Sequence, residues 1–297
     1  MLCGWRVRSE LALPELVPWR GSDIAADITV RFGAVPRQLP DLIAESPFLQ
    51  IGRDGTCLLT ISGVGDYLIA RDHLVISARE GATSSELRLF LLGSALGILC
   101  HQRGRFIIHA SSVSIGGRSI AFAGRSGAGK STLAAAFARA GHRFLSDDVC
   151  LIDTEALGGP VVLPAFPRLK LWRDSLMAAN VPLTGLERNR TFQDKYHYVP
   201  AGGFDPTPVP LAAIVILDTA GFDQPATVER IERPADIMRN LHAQVYRASV
   251  AHALGRDGFL FRNESRLAEH VPLFHWLRQR DMARLNDDIE LLADLLP

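Results

Sequence analysis

Gly124-Arg125-Ser126-Gly127-Ala128-Gly129-Lys130-Ser131, followed by Thr132, is the stretch on which the fold turns. It fills every fixed position of G-x-x-x-x-G-K-[ST], between the apolar run Ser119 to Ala123 and the alanine-rich run Leu133 to Ala140. The first run reads as a strand and the second as a helix, which is the context that gives the pattern physical meaning. Glycines let successive backbone N–H groups curl around phosphate oxygens, the helix N-terminus adds partial positive charge, and Lys130 adds a full one. Ser131 is then placed to ligate Mg²⁺, and Thr132 to touch an α-phosphate. The expectation is an α/β fold with a P-loop core and a mixed sheet, holding ATP and Mg²⁺ through Gly124 to Thr132.

The rest of the chain narrows the class. At 297 residues it has room for two modest domains, and 47% hydrophobic residues supply a core for each. Lys plus Arg and Asp plus Glu are 32 each, so no overall basic field favours nucleic acid or an anionic membrane, and neither is expected as a partner. Cys3, Cys57, Cys100 and Cys150 are scattered, with no C-x-x-C; they read as buried or free thiols in a reducing compartment. The N-terminus lacks a charged region followed by an apolar one. The longest apolar stretch, Leu89 to Cys100, is well short of the roughly 20 residues that span a bilayer. A soluble cytoplasmic protein is expected.

From residue 1 to 82 short apolar or alternating runs are separated by turn residues, which reads as a small β-rich domain. Ile24 to Phe32, Cys57 to Ile61, Tyr67 to Ala70 and His73 to Ser77 are its expected strands. Residues 83–297 form the expected P-loop domain, opened by a buried connecting helix over 83–103. Thr83-x-x-Glu86 is its capping box, Leu87, Phe90, Leu91, Ser94, Ala95, Ile98 and Leu99 follow at helical spacing, and Gly104 is its stop. Phe106 to Ile115 and Arg118 to Ala123, about Gly116-Gly117, form a hairpin whose second strand feeds the loop. After the loop helix, Gly141 precedes a short strand, Phe144 to Ser146, that delivers Asp147 and Asp148. Gly158 to Pro167 and Pro182 to Pro210 read as irregular, the latter carrying Arg188, Arg190, Lys195, Tyr196, His197 and Tyr198. Leu211 to Leu217 is a strand ending in Asp218. Pro234 to Ala253 reads as one helix, Ser265 to Glu269 as a helical turn, Val271 to Leu277 as a strand and Met282 to Leu296 as a closing helix.

Carboxylates at strand ends beside a phosphate loop face the ligand crevice. Asp147 and Asp148 can therefore divide metal ligation and base catalysis between them, although an Asp-Asp pair also suits a turn. Asp218 is the rival acid, because an apolar strand ending in Asp is also what a Walker-B strand looks like. By default His109 would be a satisfied core histidine. Lys170, Arg190 and Lys195 read as surface cations, with Lys195 the best of them for function because of its loop.

Read together, Ile107-Ile108-His109, the hairpin, GRSGAGKS and the segment Ala140-Gly141-His142-Arg143-Phe144-Leu145-Ser146-Asp147-Asp148 resemble the catalytic core of the HPr kinase/phosphorylase family. The resemblance covers roughly residues 105 to 152. It implies an HPr-kinase-like P-loop core, Asp147 as general base for an acceptor serine, Asp148 as its acidic neighbour helping Ser131 hold Mg²⁺, and His109 near the transferred phosphate. It also implies assembly with further copies of the chain. The family's Glu-Ile-Arg-Gly type signature is missing, and Pro167-Arg168-Leu169-Lys170-Leu171-Trp172 occupies that region. The resemblance therefore does not extend to the reverse, phosphorolytic reaction, to HPr as substrate, or to a second metal carboxylate. The whole-chain layout is similar to HPr-kinase-related proteins of lasso-peptide tailoring systems, some of which phosphorylate a precursor serine.

The expected activity is an ATP- and Mg²⁺-dependent serine kinase acting on a peptide or small protein, with Lys130, Asp147, Asp148 and His109 at its centre. A small-molecule hydroxyl kinase and a nucleotide-binding sensor that transfers nothing are the alternatives.

Overall fold

Short apolar runs between turn residues build the first sheet. The computed structural model describes residues 2–21, 24–190, 193–200, 203–221, 224–279, 281 and 284–293. In it, Cys57–Ile61, Gly65–Ile69 and His73–Ala78 pair antiparallel in chain order. Tyr67, Ile69, Leu74 and Ile76 point from them into the core and are fully covered. Ile28–Phe32 and Val7–Ser9 extend the sheet in parallel on one side, and the hairpin Leu42–Ser46 with Leu49–Gly52 extends it on the other. Val7–Ser9 and the hairpin strands carried no sequence expectation; they are short, and Leu42–Ser46 has no fully buried residue, with Ile43 exposed.

By contacts the chain divides into two units, Met1–Arg105 with Arg247–Leu260, and Phe106–Tyr246 with Phe261–Pro297. The division falls after the helix that the sequence places at the opening of the second domain. That helix runs Ser84–Phe90 and Leu96–Gln102, with a π-helical turn Leu91–Ala95 between them. Its start is the expected capping box: Glu86 N donates to Thr83 Oγ1 at 3.2 Å and Thr83 N to Glu86 Oε2 at 3.2 Å. Leu91, Leu92, Leu96 and Leu99 share one small void with Leu2, Ile28, Val30 and Leu74 of the first sheet. Burying a leucine side chain contributes about 1.5–3 kcal/mol, so this face holds the helix to the first unit.

In the same unit Arg6 Nε donates to Asp27 Oδ2 at 2.9 Å. These hydrogen bonds hold the Asp27 carboxyl at about 2, from an ordinary 3.8. A depressed carboxyl contributes stability that is present above its unfolded pKa and is lost as pH falls through the folded one. The melting-temperature advantage of wild type over Asp27→Asn is therefore expected to be constant above pH 3.8 and to vanish towards pH 2. Thermal unfolding of both proteins across that window checks it; an advantage that persists undiminished at the acid end contradicts it.

The second unit is organised by one sheet whose order is Arg143–Ser146, Ala110–Ile115, Arg118–Gly124, Val209–Thr219, Val161–Leu163, Cys150–Asp153 and Phe106–Ile108. Leu273–Arg278 also pairs with Val209–Thr219, and Thr227–Arg230 lies beyond it. Arg118–Gly124, Val209–Thr219 and Leu273–Arg278 run parallel, so their carboxyl ends gather on one side. The expected hairpin about Gly116 and Gly117 is present, both at positive φ. Its first arm is not one continuous strand. Phe106–Ile108 pairs with Cys150–Asp153, Ala110–Ile115 pairs with Arg118–Gly124 and Arg143–Ser146, and His109 sits at the change of neighbours. The loop helix Lys130–Arg139 covers the sheet with Leu133, Ala134, Phe137 and Ala138, packing beside Phe122, Phe144 and Val215.

Several expectations need correction. Pro234 to Ala253 is two helices, Pro234–Gln244 and Ala248–Ala253. They part because Val245 bridges to Ile108 and Arg247 takes a left-handed φ of 51°. Pro182 to Pro210 contains the strands Arg188–Arg190 and Gln193–Tyr198, which form a three-stranded sheet with Leu169–Trp172. Val161–Leu163 interrupts the expected loop Gly158 to Pro167, and the turn at Ser265 to Glu269 is part of the helix Asp257–His270. The closing helix is Leu285–Ala293; the outer residues of its expected span lie outside those described. Cys3, Cys57, Cys100 and Cys150 are buried thiols that form no disulfide. No helix among the described residues is long and apolar enough to cross a membrane.

Candidate functional site

Gly124 ends its strand at φ 127°, and a Cβ there would lie 2.5 Å from the Leu217 carbonyl oxygen of the neighbouring strand. Only glycine lets the chain turn at that point while the two strands stay paired. Gly127 and Gly129 also take positive φ, 85° and 96°, and Gly129 leads into the helix. Gly124 N donates to Gln244 Oε1 at 2.9 Å, which ties the turn to the helix Pro234–Gln244. Successive loop amides at a helix N-terminus make an anion-binding concavity.

Lys130 is the first residue of that helix and is 6% exposed. Its Nζ donates to the carbonyls of Gly124, at 2.7 Å, and Arg125, at 3.2 Å. Burial pushes its pKa down, against the opposing pull of Asp148 and Asp147. The loop thus keeps a partly desolvated cation at the base of its own amide cradle, where an anion relieves the cost of burying it.

The two adjacent acids part company. Asp147, 4% exposed, accepts from Ser131 Oγ at 2.8 Å and Ser111 Oγ at 2.6 Å on one oxygen, and from Lys170 N at 2.9 Å on the other. Asp148 takes a left-handed φ of 65°, a conformation that Asp tolerates better than most residues. Its carboxylate is paired with Lys170 Nζ, and one oxygen lies 3.6 Å from His109 Nε2. Burial pushes Asp148 up, but Lys170 and His109 outweigh it and hold the carboxyl well below the usual range. Burial likewise pushes Lys170 down, and the neighbouring Asp148 and Asp147 carry it above its ordinary value instead. His109 is fixed by its backbone, N to Gln244 O at 2.7 Å, and by an edge contact with Tyr246 at 5.8 Å.

The small sheet supplies the opposite wall. Along Leu169–Trp172 the period-two alternation sends Leu169 and Leu171 into the core, and Lys170 and Trp172 to the cleft. Lys195 is the cross-strand partner of Trp172, with Nζ 5.6 Å from a Trp172 ring centroid. Thr132 Oγ1 and Ser175 Oγ are 2.9 Å apart, joining the loop helix to the helix Arg173–Ala178. Arg278 ends its strand over the loop, its Nη1 3.5 Å from where a Gly129 Cβ would stand, while its Nη2 donates to Asp288 at 2.8 Å. Together these enclose a cleft of about 370 Å³, walled by Gly127, Lys130, Asp148, Lys170, Trp172 and Arg278 among others.

Of the residues singled out from sequence, Ser126 to Thr132, His109, Asp148, Lys170 and Lys195 line the cleft, and the carbonyls of Gly124 and Arg125 hold Lys130 Nζ. Asp147 stands behind it, attached to Ser131. Asp218 is not brought in: its side chain is 62% exposed, it accepts from Thr219 N, and it lies 3.8 Å from His275. Arg190, on the edge strand Arg188–Arg190, does not line the cleft. Lys170 is no ordinary surface cation, since its side chain is only 12% exposed. Trp172, Ser111, Ser175 and Arg278 had gone unnoticed. The position of Arg278 at the carboxyl end of a parallel strand was the available signal, and for Trp172 it was the alternation with two buried leucines.

No protein-family model and no curated protein sequence matches the chain. Among solved structures, the Hpr(Ser) kinase/phosphatase from Coxiella burnetii is similar over 63% of this chain and 92% of its own, at 14% identity and a TM-score of 0.32. A likeness that slight carries no activity across.

Proposed function

We propose that this protein is an ATP- and Mg²⁺-dependent phosphotransferase that moves a phosphoryl group onto a serine hydroxyl of a peptide or small protein. The observation that carries the transferase reading is the divergence of the paired acids, Asp147 onto the P-loop serine and Asp148 into the cleft beside His109 and Lys170. A site that only held a nucleotide would have no use for a second carboxylate at the cleft wall, held by Lys170 beside His109.

The donors present fit the groups that the reading requires. Ser131 and Asp147 offer hard oxygens, which suit Mg²⁺, and the metal would supply charge neutralisation between phosphate oxygens. The amides of Ser126 to Lys130 and the Lys130 ammonium would hold phosphates, with Arg278 adding positive charge over Gly129. Asp148, at the cleft wall, orients the acceptor hydroxyl and takes its proton as the acceptor oxygen bonds to phosphorus and the bond to the leaving oxygen breaks. The low pKa of Asp148 suits an orienting role, since a loose transition state needs little early deprotonation. Lys170 holds Asp148 in place and balances its charge. These roles for Asp147 and Asp148 are the reverse of those implied by the family resemblance. The choice of a peptide serine rests on that resemblance alone.

Mass spectrometry of serine-bearing peptides, including lasso-peptide precursors, after incubation with protein, ATP and Mg²⁺ tests the proposal. One added phosphoryl group on serine, lost when that serine is replaced by alanine, is the expected result. Phosphorylation confined to free hydroxyl metabolites would move the acceptor class, and stoichiometric nucleotide binding with no product of either kind would overturn transfer.

A further inference from the structure

A large aromatic side chain left half-exposed beside a phosphate loop calls for a reason. Trp172 is 50% exposed and lines the cleft, whereas Leu169 and Leu171 on the same strand are 0% and 1% exposed. The strand is thus firmly anchored through its other face, and the indole is held out by a rigid support. Lys195 comes from the paired strand and sets its ammonium on the indole. A cation over a tryptophan ring is favourable and fixes the ring's orientation.

The ends of the cleft differ in chemistry. Lys170, two residues before Trp172, is paired with Asp148, which marks the transfer end. Trp172 lies about 6–7 Å further along the strand, at the usual rise per residue. It precedes the helix Arg173–Ala178, whose Ser175 meets Thr132 of the loop helix. Thr132 and Ser175 thus meet each other, whereas Asp148 meets Lys170 and His109. A nucleotide with its terminal phosphate at the acids directs its nucleoside to the Thr132 and Ser175 end, where Trp172 is the aromatic surface.

We infer that Trp172, backed by Lys195, is the platform on which the base of the bound nucleotide stacks. The inference rests on the nucleotide-binding part of the proposed function and adds what recognises the base. Stacking needs only a π face and reads no hydrogen-bonding edge. The platform therefore accepts ATP and GTP alike, and favours both over the smaller pyrimidine rings of CTP and UTP.

The test is calorimetric titration of wild type and Trp172 variants with ATP and, separately, with inorganic tripolyphosphate, both with Mg²⁺. Trp172→Ala should weaken ATP binding about 5- to 150-fold, the range expected for one lost base–aromatic stack, and leave tripolyphosphate affinity unchanged. Trp172→Phe should retain most of the ATP affinity. Trp172→Leu fills the site without a π ring and should lose ATP affinity as alanine does, which keeps the test decisive if the alanine variant folds poorly. ATP affinity unchanged in Trp172→Ala and Trp172→Leu, or tripolyphosphate affinity falling in step with ATP, overturns the platform while leaving the phosphate site standing. Wild-type protein that binds neither probe overturns the phosphate site itself, and the platform with it.

Discussion

Lys130→Met protein is expected to fold at least as stably as wild type and to transfer phosphate about 10²- to 10³-fold more slowly, the loss typical of removing one preorganised charge stabiliser. The two halves of that expectation share a cause. Lys130 is 6% exposed, and its pKa is pushed down by burial, so the loop holds the charged form at a cost. Its hydrogen bonds to the carbonyls of Gly124 and Arg125 offset part of that cost. Methionine keeps the length and apolar bulk and removes the charge, which suits the resting protein and deprives transferring phosphate of its cation. Such a trade between stability and activity is usual at functional sites. Denaturant unfolding and a transfer assay on the same preparations check both parts. A variant that loses stability in proportion to activity would make Lys130 structural.

Asp148→Asn is expected to abolish transfer to a similar or greater degree, about 10²- to 10⁴-fold for a lost acid–base group, and also to destabilise the fold. Lys170 would keep its charge with its partner gone, at a side-chain exposure of 12%. Breaking a buried pair from one side costs roughly 3–5 kcal/mol, and the low end applies because Asp148 retains 24% exposure. Adding Lys170→Met removes the stranded ammonium, so Asp148→Asn with Lys170→Met should recover most of the stability and none of the transfer. The recovery is a coupling energy, measured by unfolding wild type, both single variants and the double. Asp147→Asn should instead raise the Mg²⁺ concentration needed for half-maximal rate, because Asp147 acts through Ser131. A double variant as unstable as Asp148→Asn, or one that regains transfer, contradicts the assignment.

What was legible in the sequence was local. Gly124 to Thr132 forms one contiguous turn whose glycines and lysine act within a few residues of each other, and the flanking strand and helix announce themselves by composition. Thr83 with Glu86 is a cap of the same short range, and Cys57–Ile61 is a short apolar run between turn residues, bounded to the residue. What escaped depends on pairing between distant segments. Trp172 faces the cleft because Leu169–Trp172 pairs with Gln193–Tyr198, and Arg278 reaches Gly129 because its strand lies parallel to Val209–Thr219. Val245 leaves an otherwise helical run to bridge Ile108, a tertiary contact that overrides local propensity. The different neighbours of Asp147 and Asp148 follow from one left-handed φ at Asp148, which neighbouring side chains do not announce.

The most direct measurement gives wild type and Lys130→Met the same γ-phosphate-labelled ATP, Mg²⁺ and serine-bearing peptides, and follows where the label goes. The account predicts label in phosphoserine with wild type and label appearing there about 10²- to 10³-fold more slowly with Lys130→Met. Label that stays in bound ATP with wild type, or that reaches serine equally with Lys130→Met, would contradict it.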